Sequence, residues 1–155
     1  MATQTQDWQA DFSVFDQRGR LALVAEAKNI RGADPQWASE WFCNFVTRQH
    51  TPAPPFVLLA TPETLYIWKG TENTSSPEPT AAVDARRVFA SYLRNSSLEI
   101  SSISGSTFES IVGAWLNDVS HGFWQALVPE ERRLFGDSGL LEAVENGRVV
   151  SDVAA

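Results

Sequence analysis

The nine residues Arg20 to Lys28 (RLALVAEAK) constrain this chain more than any other stretch. Ala22 and Val24 fall on one alternating face and Leu21, Leu23, Ala25 and Ala27 on the other. Both faces are therefore apolar, as expected of a strand inside a sheet covered on two sides. Just upstream, Asp11 to Phe15 (DFSVF) alternates polar and apolar residues, the pattern of a half-buried strand. Asp16-Gln17-Arg18-Gly19 has turn composition and joins the two as a hairpin.

Asn29 to Ala33 has loop composition, and Asp34-Pro35 supplies an N-cap followed by proline at the first helical position. The helix is predicted to run to about His50, where Thr51-Pro52-Ala53-Pro54-Pro55 stops it. Trp37, Ala38, Trp41, Phe42, Phe45 and Val46 form its apolar arc. Phe56 to Ala60 and Thr64 to Lys69 are two further strands around a Thr61-Pro62-Glu63 turn. The fold class expected is α/β, a mixed sheet flanked by helices, with a mostly helical C-terminal half. Residues 70–80 form a loop in this reading, Ala81 to Arg94 a helix, and Ser106 and Glu109 the capping box of the next helix. That helix carries a stripe of Phe108, Ile111, Val112, Trp115, Leu116 and Val119. Short helices start at Pro129 and Ser138, and residues 151–155 fray. The whole chain, 1–155, is expected to be one domain, with a core at 10–69 and a helical completion at 81–150.

Composition narrows the function. Nine Phe and six Trp argue against disorder, and the single cysteine, Cys43, excludes an internal disulfide framework and a Cys-rich zinc site. No apolar run approaches a membrane span, and the polar start lacks a signal peptide's apolar segment, so a cytoplasmic location with no membrane partner is expected. The net charge of −7 argues against a general polyanion binder. Its distribution matters more. Residues 1–70 hold six basic and seven acidic residues, net −1; residues 71–155 hold the other six and twelve, net −6. One divalent cation would make the first half formally positive.

Glu26 and Lys28, two apart on a strand, share a face and break an otherwise apolar segment with opposite charges. If Phe15 pairs with Arg20 across the turn, Asp11 lies opposite Val24 and diagonal to Glu26, roughly 7–8 Å away at the backbone. Two carboxylates so placed can converge on a hard divalent cation, Mg²⁺ or Mn²⁺, that keeps several waters and takes substrate phosphate. A neighbouring ammonium can orient water or stabilise charge on a phosphodiester.

This arrangement resembles the PD-(D/E)XK nuclease superfamily. Asp11, then fourteen residues, then Glu26-Ala27-Lys28, on consecutive strands followed by a helix and an apolar strand, is that superfamily's pattern. More narrowly, DFSVFDQRGRLALVAEAKN, DPQWASEWFCNF and FVLLATPETLYIW are similar to small bacterial restriction-endonuclease-like domains related to the nuclease region of type I restriction subunits. The resemblance spans residues 10–69. It implies a restriction-endonuclease-like fold, a metal held by Asp11, Glu26 and the carbonyl of Ala27, and Lys28 as the catalytic partner. Gln36 falls where many relatives carry an auxiliary polar residue. Nucleic acid is the implied partner, DNA before RNA, and a homodimer or larger complex is expected on the same ground. Ala10 stands where the name-giving motif has proline. Relatives carry a helix before the first motif strand, here missing, replaced by a C-terminal helix, or supplied by a partner chain.

Structural readings compete with the functional ones. The charged triad can be a surface Glu–Lys pair beside a chance Asp. Trp37, Trp41 and Phe45 have the spacing of core residues rather than of a base-stacking platform. Cys43 has no base nearby in sequence, since His50 is seven residues on, and His121-Gly122 has the composition of a helix end. Arg86-Arg87 and Arg132-Arg133 are expected to serve solubility rather than phosphate contact. Three functions follow: a metal-dependent nuclease, a non-enzymatic module of a defence or genome-maintenance complex on the same fold, and a metal-dependent hydrolase of a small phosphorylated molecule.

Overall fold

A six-stranded mixed sheet in the order β5-β4-β3-β2-β1-β6 organises the chain, with helices on both faces. The computed structural model describes residues 10–48, 54–70, 77–94, 99–122 and 129–151. Its strands are β1 (Phe12–Phe15), β2 (Leu21–Ala27), β3 (Phe56–Ala60), β4 (Thr64–Lys69), β5 (Ala81–Asp84) and β6 (Arg148–Ser151). Its α-helices are α1 (Pro35–Thr47), α2 (Ala85–Phe89), α3 (Gly105–Ser120), α4 (Pro129–Ser138) and α5 (Leu140–Val144). Short 3₁₀ turns cover Ala90–Leu93 and Ile100–Ser102. No helix among the described residues is long and apolar enough to cross a membrane.

β2 runs antiparallel to β1 and parallel to β3, with α1 as the crossover between the parallel pair. Its central position explains its doubly apolar sequence, since Leu23, Val24 and Ala25 are all buried. On one face, Val24, Val57, Leu59, Tyr66 and Trp68 pack beneath Ala38, Trp41, Phe42 and Phe45 of α1. On the other, Phe12, Val14, Leu23, Leu58 and Leu65 pack with α2, α3, α4 and α5. The predicted stripe of α3, from Phe108 to Val119, is buried there throughout.

The hairpin register differs from the expected one. The loop has three residues, with the Gly19 amide donating to the Asp16 carbonyl and the Asp16 amide to the Arg20 carbonyl. Gly19 sits at φ +82°, a left-handed conformation that a side chain would strain. A bulge between Val14 and Phe15 then shifts the ladder again, so that Phe15 faces Leu21 but Phe12 faces Ala25. Beyond the bulge the net slip of two residues keeps Leu23, Val24 and Ala25 on their expected faces, whereas Leu21, before it, packs on the α1 side with Val24 and not with Leu23 as expected.

Other departures lie at helix starts and sheet edges. Asp34 caps α1 as predicted, accepting from the Trp37 amide at 2.8 Å, but the helix stops at Thr47, short of His50, which lies outside the described residues. Ser104, not Ser106, caps α3 by accepting from the Thr107 amide, so Glu109 belongs to no capping box. Ser138 closes α4, and the next helix begins after Gly139. The predicted helix over Ala81 to Arg94 divides into strand β5, the short α2 and a 3₁₀ turn. Pairing with β4 overrides the helical preference of the two alanines, and Asp84 caps α2. Ser151, expected to fray, is instead the last residue of β6, which pairs Arg148 with Phe15 and Ser151 with Phe12, and the rest of the expected frayed end, 152–155, lies outside the described residues.

Candidate metal and phosphodiester site

β1 and β2 bring Asp11 and Glu26 together at the carboxyl ends of the parallel strands β2 and β3, where open α/β sheets leave room for ligands. Continuing the Phe12–Ala25 pairing by one step sets Asp11 directly opposite Glu26, closer than the diagonal relation that the sequence suggested. The Asp11 carboxylate is anchored there, accepting from the Ala27 amide at 2.8 Å. In an extended strand the N–H and C=O of one residue project to the same edge, so the Ala27 carbonyl also faces the Asp11 side.

Position is fixed from below by α3. Gly113 of that helix lies against the Phe12 ring, where an added Cβ would approach Phe12 Cε1 to 2.9 Å. This close approach seats the residue next to Asp11. From the side, Asn29 donates to the Ile103 carbonyl at 3.0 Å and the Gly32 amide donates to Glu63 at 2.9 Å, tying down the segment that follows β2.

Burial, then the Asp11 charge, pushes the Glu26 carboxyl up to about 8, with the Lys28 ammonium opposing the shift. A hydrogen bond between the two acid side chains adds to it. Lys28 Nζ lies 3.8 Å from Glu26, and its side chain is 44% exposed against 13% for Glu26. The ammonium therefore reaches solvent while the carboxyl stays largely covered.

Sequence reasoning missed Glu109. α3 brings it close enough that its own burial and the Asp11 charge raise its pKa. Its only sequence signal was its place three residues after Ser106, which pointed to a cap. No three His, Cys, Asp or Glu side chains gather as a ligand group among the described residues. The donors at hand are two carboxylates and the Ala27 carbonyl, a set that fits Mg²⁺, which keeps several waters.

A groove of about 590 Å³ opens beside Lys28, lined by Lys28, Ile30, Trp37, Glu40, Trp41, Asn44 and Arg48. Gln36, the auxiliary residue expected, is exposed in the first turn of α1 and does not line this groove. Trp41 stacks on Phe45 with centroids 4.8 Å apart and is core, as its spacing suggested. His121 ends α3, its Nδ1 2.7 Å from the Asn117 carbonyl, and Arg86 pairs with Asp84 at 3.1 Å. No protein-family model matches this chain, and no curated protein and no solved structure matches it.

Proposed function

We propose that this chain is a metal-dependent nuclease of the PD-(D/E)XK type, with a restriction-endonuclease-like core formed by β1, β2, α1 and β3, that hydrolyses phosphodiester bonds of nucleic acid. The observation that carries the reading is Asp11 set opposite Glu26 on adjacent strands, with Lys28 3.8 Å from Glu26 at the open end of the sheet. Asp11, Glu26 and the Ala27 carbonyl would hold Mg²⁺ or Mn²⁺. When bound, the cation supplies charge neutralisation at the scissile phosphate and a more acidic water.

The chain's own residues do the rest. Asp11 is held by the Ala27 amide, which leaves its other carboxylate oxygen for a ligand once the hydrogen bond to Glu26 opens. Glu26 must lose its proton before it can ligate, so metal affinity rises with pH up to about 8. Lys28, with an exposed ammonium, orients the attacking water and stabilises charge developing on the phosphate.

The test is cleavage of labelled single- and double-stranded DNA and RNA by purified protein with Mg²⁺ or Mn²⁺. Lys28→Ala should reduce the rate by about 10²–10⁴-fold, and Glu26→Gln at least as much. Intact substrates throughout, or equal cleavage by wild type and Lys28→Ala, would refute catalysis. The alternative, a catalytically inactive module on the same fold, is favoured by a Glu26 that holds its proton at neutral pH. Calorimetry separates the two, because metal binding that disappears in Glu26→Gln supports the nuclease and no binding supports the module.

A further inference from the structure

The groove beside α1 is continuous with the Asp11–Glu26–Lys28 site through Lys28 but contains neither carboxylate. Trp37, Glu40, Trp41, Asn44 and Arg48 recur at helical spacing along one side of α1 and its C-cap, and Ile30 also lines the groove. From Trp37 to Arg48 the helix rises about 16 Å, long enough for a short run of nucleotides. The groove has a cation at Lys28 and another at Arg48, whose Nε donates to the Asn44 carbonyl at 3.2 Å, against one carboxylate, Glu40. Trp37 is only half-buried, unlike Trp41 at 9% exposure, so the indole of Trp37 offers surface to an occupant.

We infer that this groove binds a single-stranded stretch of nucleic acid, with a base stacked on Trp37 and the backbone led by Arg48 towards Lys28. The inference rests on the nuclease reading for its direction, but the groove's chemistry is separate from the metal site. Aromatic faces, an amide and a carboxylate engage unpaired bases, whose faces and edges are free, whereas a duplex offers mainly phosphates. The first seventy residues carry a net charge of −1, a poor surface for extended duplex phosphate contact. Stacking supplies what the weak charge does not. Glu40 and Asn44 are placed to meet base edges, the carboxylate accepting from exocyclic amines.

Fluorescence anisotropy in EDTA tests the groove without the metal site. The probes are a fluorescein-labelled, non-self-complementary single strand of about twelve nucleotides rich in adenine and cytosine, and the duplex it forms with its complement. The single strand should bind at least tenfold more tightly. Trp37→Ala should weaken that binding by about 5- to 150-fold, the range of one lost stacking contact, and Trp37→Phe should restore most of it. Arg48→Gln should weaken binding several-fold and reduce the salt slope by about one. Equal affinity for the duplex, no saturable binding to about 1 mM, or Trp37→Ala indistinguishable from wild type overturns the inference. Binding through Trp37 with no cleavage of any substrate would sink the nuclease reading and leave the groove. Cleavage with no single-strand binding in the groove would do the reverse.

Discussion

The sheet's two faces carry covers of very different thickness. Among the described residues one helix, α1, covers Val24, Val57, Leu59, Tyr66 and Trp68, whereas α2 to α5 close over Phe12, Leu23, Leu58 and Leu65 on the other face. The thick layer is tightly apolar. Phe89 meets Phe108 and Trp115 edge to face at centroid distances of 5.7 and 5.6 Å, and the Trp115 indole donates to the buried Glu131 at 2.6 Å. The thin layer relies on aromatic stacking, Trp41 on Phe45 and Phe42 on Trp68, and leaves the ends of β2 and the flank of α1 open. The comparison teaches that stability and accessibility are assigned to opposite faces of the same strands. Glu26 continues the alternation of Val24 on the thin face, and it is tolerated there because burial keeps its carboxyl protonated while the Lys28 ammonium, just past β2, reaches solvent.

If that division is right, equal truncations on the two faces have unequal costs. Trp115→Ala should destabilise the protein by about 3–5 kcal/mol, through lost packing and the loss of the indole donor to Glu131. Trp37→Ala should cost only about 1 kcal/mol, and matching losses in urea unfolding would break the comparison.

Gly113→Val pushes into the Phe12 ring from the thick side and should cost about 1–3 kcal/mol. If the thick face also positions the site, the same variant should lower metal affinity by calorimetry while Trp37→Ala does not.

The third test is of pH. The Glu26 carboxyl is raised to about 8 from an ordinary carboxylate value of about 4.5, so the folded protein binds a proton that the unfolded chain has released in this range. Its stabilising contribution is fully present below about 4.5 and is lost as pH rises through about 8. In metal-free buffer the melting temperature should fall across that window, by roughly 1–3 kcal/mol in stability, and Glu26→Gln should flatten the slope. A slope unchanged in the variant would assign the pH dependence to other groups.

The smallest effect expected is from Asp34→Ala, which removes the cap of α1 on the thin face. A loss of about 1 kcal/mol is expected, together with faster amide exchange in the first turn of α1. Exchange increasing equally in α3 would show that the faces do not open separately.

Much of the thin face was legible in the sequence. The cap at Asp34, the apolar arc of α1 and the strands Phe56–Ala60 and Thr64–Lys69 follow from signals within a few residues of each other. The charged residues of β2 stood out because nothing structural asks for them there. What was hidden depends on distant partners. The bulge between Val14 and Phe15, which places Asp11 opposite Glu26, has no local signature. β5 and β6 are strands because β4 and β1 offer them ladders, although Ala81-Ala82 favours helix. Glu109 gains its place beside Asp11 only through the docking of α3 on Phe12.

By itself the sequence determined which residues form the turn, the alternation of Leu23, Val24 and Ala25, and the pairing of Glu26 with Lys28 two residues on, because a strand's period of two survives a slip of two. Only the tertiary structure decided how close the two carboxylates come and that Glu26 holds its proton at neutral pH. It also decided that the polar flank of α1 lines a groove leading to Lys28. Distance, burial and enclosure arise between residues far apart in the chain, and their periodicity carries no record of them.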